Sequence, residues 1–148
     1  MIGLDGIKIG DEETLGGGEG MLLFPPGHFI QPGQTPVVAN DAQAFMSVYG
    51  FHPDFAITTS DPLIPKMLRY TAWGTGTVNL SNDGDEVLLL DESGSIIDAL
   101  SWGSSKFAFS PSVGKVVVGH SLERYHPDSD TDSALDWRRP GDLCSKGG

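Results

Sequence analysis

The clearest alternation and clustering of apolar positions lies in residues 82–103, NDGDEVLLLDESGSIIDALSWG. A polar turn, Asn82-Asp83-Gly84-Asp85, precedes four consecutive apolar residues, Val87, Leu88, Leu89 and Leu90. Asp91-Glu92-Ser93-Gly94 is a second turn signal, with Gly94 free to adopt positive φ. Ile96, Ile97, Ala99, Leu100 and Trp102 then form a return strand. Two short β-rich runs around a glycine-containing loop predict a hairpin. The run at 87–90 lacks polar alternation, so both faces of that strand are expected to be covered, as in the middle of a sandwich.

Elsewhere the pattern is shorter. Leu4, Ile7 and Ile9 suggest a brief strand that Gly16-Gly17-Gly18 breaks, and residues 21–24 read as a buried strand ended by Pro25-Pro26-Gly27. Residues 36–39, 77–80 and 121–125 predict further strands, and 116–118 either a strand or a loop anchor. One helix is predicted over 40–49, with Asn40 as cap, Gln43 completing a weaker capping box and Gly50 as the stop. Ala42, Phe45, Met46 and Tyr49 share one face, which suits a plug for an open edge or end of a sandwich. Segments 51–65 and 107–115 read as irregular, and Leu135 and Trp137 as anchors in a polar C-terminal region. The expected fold is all-β: an antiparallel, immunoglobulin-like sandwich with one short helix, spanning 1–148 as a single domain with a tail at 141–148.

Composition supports this reading. Of 148 residues, 20 are Gly and 10 Pro, an excess that favours turns and short strands over long helices. The net charge of −11 is unevenly placed: residues 1–105 hold three basic side chains against fourteen acidic ones, and 106–148 hold six of each. A phosphate backbone would be repelled by the first two-thirds of the chain, so nucleic acid is an unlikely partner outside a local C-terminal patch. Cys144 stands alone, which excludes an internal disulfide and a cysteine zinc site. No stretch reaches membrane-spanning length.

The order of these pieces resembles the lamin-tail domain family, prokaryotic type. Leu4-Asp5-Gly6-Ile7-Lys8-Ile9 is similar to its L-x-G-W-x-I/L strand, with Ile7 in place of the usual Trp. Phe24-Pro25-Pro26-Gly27, Pro32-Gly33 and Val37-Val38-Ala39-Asn40 resemble its F-P-x-G, P-G and V-V-A segment, and Phe45 with Tyr49-Gly50 its helix. Leu80, Asn82, Gly84-Asp85, Val87, Leu89, Asp91, Gly94 and Asp98-Ala99 resemble its hairpin. His120-Ser121-Leu122-Glu123-Arg124, Asp130-Thr131-Asp132 and Asp136-Trp137 resemble its C-terminal signature. The resemblance covers residues 4–140. It implies a non-catalytic interaction or tethering role toward protein or a cell-envelope polymer, and a secreted or envelope location if prokaryotic. The family's first strands are expected to be missing here, which would leave an open sheet edge suited to homodimerisation.

Candidate chemistry is sparse. Asp128, Asp130 and Asp132, with Asp136 as a later ligand, space carboxylates as in the first half of a calcium loop. Ser133 replaces the turn glycine and Arg139 the bidentate Glu; the competing reading is a loop whose side chains cap backbone amides. Asn82-Asp83-Gly84-Asp85-Glu86 reads as a turn whose Asn and Gly take unusual φ. Asp98, in an apolar strand, is expected to accept amide hydrogen bonds and lock the adjacent turn, and Arg124 to pair a carboxylate on the sheet. Gly119-His120-Ser121-Leu122-Glu123 lacks the final glycine of a nucleophile elbow. His28, His52, His120 and His126 have no zinc spacing, and the glycine loop at 16–20 reads as a flexible turn. Trp102 is expected in the core, with Trp73 the best candidate for partial exposure. No catalytic residue and no cofactor is assigned. The expected function is non-catalytic binding; the alternative is a carbohydrate-binding sandwich with a structural calcium.

Overall fold

The computed structural model describes residues 1–139; residues 140–148, with Cys144 and the expected tail, lie outside the described residues. The elements in chain order are β1 (Ile2–Gly3), β2 (Lys8–Gly10), β3 (Met21–Leu23), β4 (Phe29–Ile30), β5 (Val38–Asp41), α1 (Ala42–Tyr49), β6 (Phe55–Thr58), β7 (Leu68–Arg69), β8 (Gly84–Leu90), β9 (Ile96–Gly103), β10 (Glu123–Arg124), a 3-10 turn (Ala134–Asp136) and β11 (Trp137–Arg138). The fold is all-β and sandwich-like with one short helix.

Its centre is a five-stranded antiparallel sheet in the order β7-β3-β2-β8-β9. The hairpin β8–β9 forms as its sequence predicts. Gly94 has φ of 86°, and Asp91 closes the turn by accepting from Ser93 N, Ser93 Oγ and Ser95 N at 2.7–2.9 Å. Gly84 is not the turn glycine expected of it. It pairs with Gly103 inside the ladder, where a Cβ would meet Ser104 N at 2.4 Å.

Register places Ile9 beside Leu22 and Leu89 on one face, and Gly10 beside Met21 and Leu88 on the other. Both faces are covered, as the apolar run of β8 requires. On the first face Leu22 and Phe24 pack against Phe55 and Met67, with Phe24 and Phe55 edge to face at 5.1 Å. On the second, Met21, Leu88 and Leu90 lie beneath Tyr70 and Trp73. A third cluster, Trp102, Phe109 and Val113, closes the far end of the hairpin beside Trp137. Lys8 shares the second face and is 4% exposed. Its ammonium donates to the carbonyls of Gly6, Asp91 and Glu92 at 3.0–3.2 Å and lies 4.9 Å from the Tyr70 ring centre. It thereby ties the β2 entry to the hairpin turn.

The second layer departs from an all-antiparallel plan. β5 and β6 pair in parallel, joined through α1, and β6 falls in a segment read from sequence as irregular. A parallel pair needs a crossover, and α1 is that crossover. The helix is capped one residue later than predicted. Asp41 Oδ1 accepts from Ala44 N at 2.8 Å, while Gly50 (φ 77°) donates to Met46 O as the expected stop. Residues 77–80 do not form a ladder strand. Asn79 N donates to Asp11 Oδ2 at 2.7 Å, and Gly20 admits the backbone there because a Cβ would meet Val78 N at 2.2 Å. Side chains supply the hydrogen bonds that a neighbouring strand would have offered.

Candidate functional site

The structure does not assemble Asp128, Asp130, Asp132 and Asp136 into a calcium loop. Asp136 serves its own loop: it accepts from Thr131 N, Thr131 Oγ1 and Ser133 N at 2.7–3.3 Å, and with Ser133 forms the capping box of the 3-10 turn. The Thr131 amide, foremost, holds its carboxyl below the usual carboxylate range. Asp130 pairs with Arg124 at 3.3 Å, and Asp132 sits at φ 52°. Among the described residues this quartet does not converge on a shared point. The capping reading accounts for Asp136, and for Asp130, which accepts from Asp132 N at 3.2 Å.

Arg124 is the organiser of this region. It meets Asp98 Oδ2 at 2.7 Å, as expected of a carboxylate on the sheet, and stacks 4.7 Å from the Trp137 ring centre. Asp98 accordingly locks the β10–β11 segment onto β9 and not the hairpin turn, which Asp91 holds instead. Ser121 is exposed, and the residues after it enter β10, so no strand-to-helix elbow forms.

Carboxylates do converge elsewhere, at a place the sequence does not announce. Asp11, Glu19 and Asp85 bring oxygens within 4.8 Å of one another, and so do Glu12, Glu13 and Glu19. Backbone amides stabilise the cluster: Asp11 accepts from Gly20 N, Glu12 from Thr14 N and Glu19 N, and Asp85 from Ser81 N, at 2.6–2.8 Å. Trp73 Nε1 donates to Glu12 O at 2.9 Å, so Trp73 is a half-buried anchor of this loop and not a free platform. The loop at 16–20 is therefore built, not loose: a Cβ at Gly17 would meet the Glu12 carboxyl at 2.2 Å. Desolvation, and then the negative charge of Asp85 and its neighbours, raises the Glu19 carboxyl from 4.5 to about 7. Glu86, buried and hydrogen-bonded by Ser105 Oγ, is raised to about 7 by desolvation and by Glu13 facing it. Two carboxyls are therefore raised to about 7, each chiefly by desolvation and then by the negative charges around it.

The other notable surface is apolar. On α1 and the residue after its stop, Phe45, Tyr49 and Phe51 form an aromatic knob, with ring centres 4.5, 5.1 and 6.4 Å apart. Only Ala42 of the helix is buried; Tyr49 is 62% and Phe51 53% exposed, with Met46 and Val48 also in solvent. The helix does not plug an edge with Phe45, Met46 and Tyr49. It packs through its start on β5 and β6, leaving Phe45 half-buried and presenting Met46 and Tyr49 outward. Residues 9–65, which include this whole surface, contain no Lys or Arg.

No family model, no curated protein and no solved structure matches this chain.

Proposed function

We propose that this chain is a non-catalytic interaction module, a lamin-tail-like, immunoglobulin-like sandwich that binds a protein partner through the aromatic knob of α1. The observation that carries the reading is the solvent exposure of Tyr49 and Phe51 beside Phe45. Large aromatics gathered on one surface of a small domain favour association, because burying them removes apolar area from water at about 25 cal/mol per Å². The surroundings set the partner's chemistry. Asp41, Asp54 and Asp61 are the charged residues of 41–65, so a partner with an apolar pocket rimmed by Lys or Arg is complementary.

A carbohydrate-binding role fits this surface less well. Sugars stack on flat aromatic faces, whereas the three rings lie at 36°, 88° and 55° to one another and pack as a knob. Homodimerisation through a sheet edge is also the weaker route. β7 has two residues, and β9 carries a bulge opposite Leu89 and Leu90, the Asp98 charge and a bridge from Trp102 to Val113. Short, bulged and charged edges resist strand addition.

Peptide-display selection against the wild-type chain tests the proposal, with the Tyr49→Ser/Phe51→Ser double variant as comparison. Peptides combining aromatic or aliphatic residues with Lys or Arg are expected to emerge and to lose affinity about tenfold or more on the variant. The variant itself should unfold within about 0.5 kcal/mol of wild type, since both side chains are exposed. Ligands that bind both proteins equally, or glycans that require Tyr49 and Phe51, overturn the proposal.

A further inference from the structure

We infer that the recess between β3, β6, β7 and the 76–78 segment is a binding site for a small molecule with an apolar body and a carboxylate head. The recess holds about 290 Å³, and its walls are Met21, Leu22, Ile57, Met67 and Val78. That volume is at the lower end of ligand pockets, which are apolar with a few placed polar groups.

Charge supplies the head-group argument. Lys66 and Arg69 also line the recess, and they are the only Lys or Arg residues between positions 9 and 105 of a chain carrying −11. In so acidic a protein these cations have abundant potential partners. Yet among the described residues neither forms a salt bridge, as Lys8 and Lys106 also do not, whereas Lys115, Arg124 and Arg138 do. Arg69 is also held in place. Its Nη2 donates to the carbonyls of Thr75 and Gly76 at 3.0 and 2.9 Å, and Gly76 is part of the recess wall. Nε and Nη1 have no protein partner among the described residues; they lie on different edges of the guanidinium, so each offers a single charged donor to an incoming acceptor. A guanidinium fixed beside an apolar wall recognises a carboxylate by charge-assisted hydrogen bonds, while the hydrocarbon body takes the Met-lined interior. Neither Tyr49 nor Phe51 takes part, so this site stands or falls independently of the protein-docking surface.

Titrating the full chain with octanoate, octanol and acetate, followed by amide chemical shifts, is the test. Octanoate is expected to move the amides of Lys66, Met67, Arg69, Gly76 and Val78 and to bind at least about tenfold more tightly than either control. Arg69→Gln should weaken octanoate about tenfold and leave octanol unchanged. Thr77→Trp, at an exposed lining position, should obstruct the recess without unfolding the chain. Absence of octanoate shifts at these residues overturns the inference. Equal binding of octanol removes the head-group argument, and equal binding of acetate reduces the site to surface ion pairing; either result also overturns it.

Discussion

At the scale of single residues, Lys8 shows how a polar position becomes structural. Its neighbours Ile7 and Ile9 mark an alternating strand, so the residue between them reads as the solvent side. In the fold that side is covered as well, and the ammonium is surrounded by three carbonyls and an aromatic ring. Replacement by Met preserves most of the volume but removes the charged donor from Gly6 O and Glu92 O, while Asp91 O keeps the Gly94 amide at 3.1 Å. Lys8→Met is therefore expected to cost about 3 kcal/mol in urea unfolding, where an exposed lysine would give less than about 0.5. Arg124 was legible as a cation for a carboxylate on the sheet, but the partner was not, since Asp98 was expected to hold the adjacent turn. The role of Asp136 was legible only as one of two readings, since the same spacing of carboxylates serves a calcium loop and a set of caps. The choice between them is made by Thr131 and Ser133, whose amides reach its oxygens first.

At the scale of elements, the β8–β9 hairpin was the most readable part of the chain. Its information is local: an apolar run, a turn and a second run lie within about twenty residues. The turn depends on Gly94, whose φ of 86° is unfavourable for other residues and whose absent Cβ would lie 2.8 Å from Trp73. Gly94→Ala should therefore destabilise by about 2 kcal/mol or more, read from the urea midpoint, and a loss below about 0.5 would contradict this role. The parallel β5–β6 pair was not readable. Its two strands are joined by a helical crossover and not by a turn with its own residue signature, and residues 51–65 carry three prolines that mask a four-residue strand. The helix was readable in extent but not in orientation: shared-face apolar residues suggested burial, and the crossover between β5 and β6 buries only Ala42, leaves Phe45 half-buried and turns Met46 and Tyr49 to solvent.

At the scale of the whole molecule, the acidic cluster joins the 11–20 loop to β8 and the 74–79 segment, and it makes stability depend on pH. Glu19 and Glu86 hold protons to about 7 in the fold but to about 4.5 when unfolded. Between those values the native state binds more protons than the unfolded chain. Stability from this source is full below about 4.5 and is lost as pH rises through 7. The urea midpoint should fall from pH 5 to pH 8, and Glu86→Gln should flatten that fall; an unchanged slope would show that the cluster relaxes on ionisation. Glu19 faces solvent and contributes the smaller share. By itself, the sequence determined the β class, the hairpin and its turn, the helix stop at Gly50 and the acidic character of the first two-thirds, because each depends on near neighbours or on a sum over residues. Only the tertiary structure decided that Asp11, Glu19 and Asp85 share one space, that Tyr49 and Phe51 face water, and that Lys66 and Arg69 line one recess. Those are distances between segments that approach only after both faces of the central sheet have been covered.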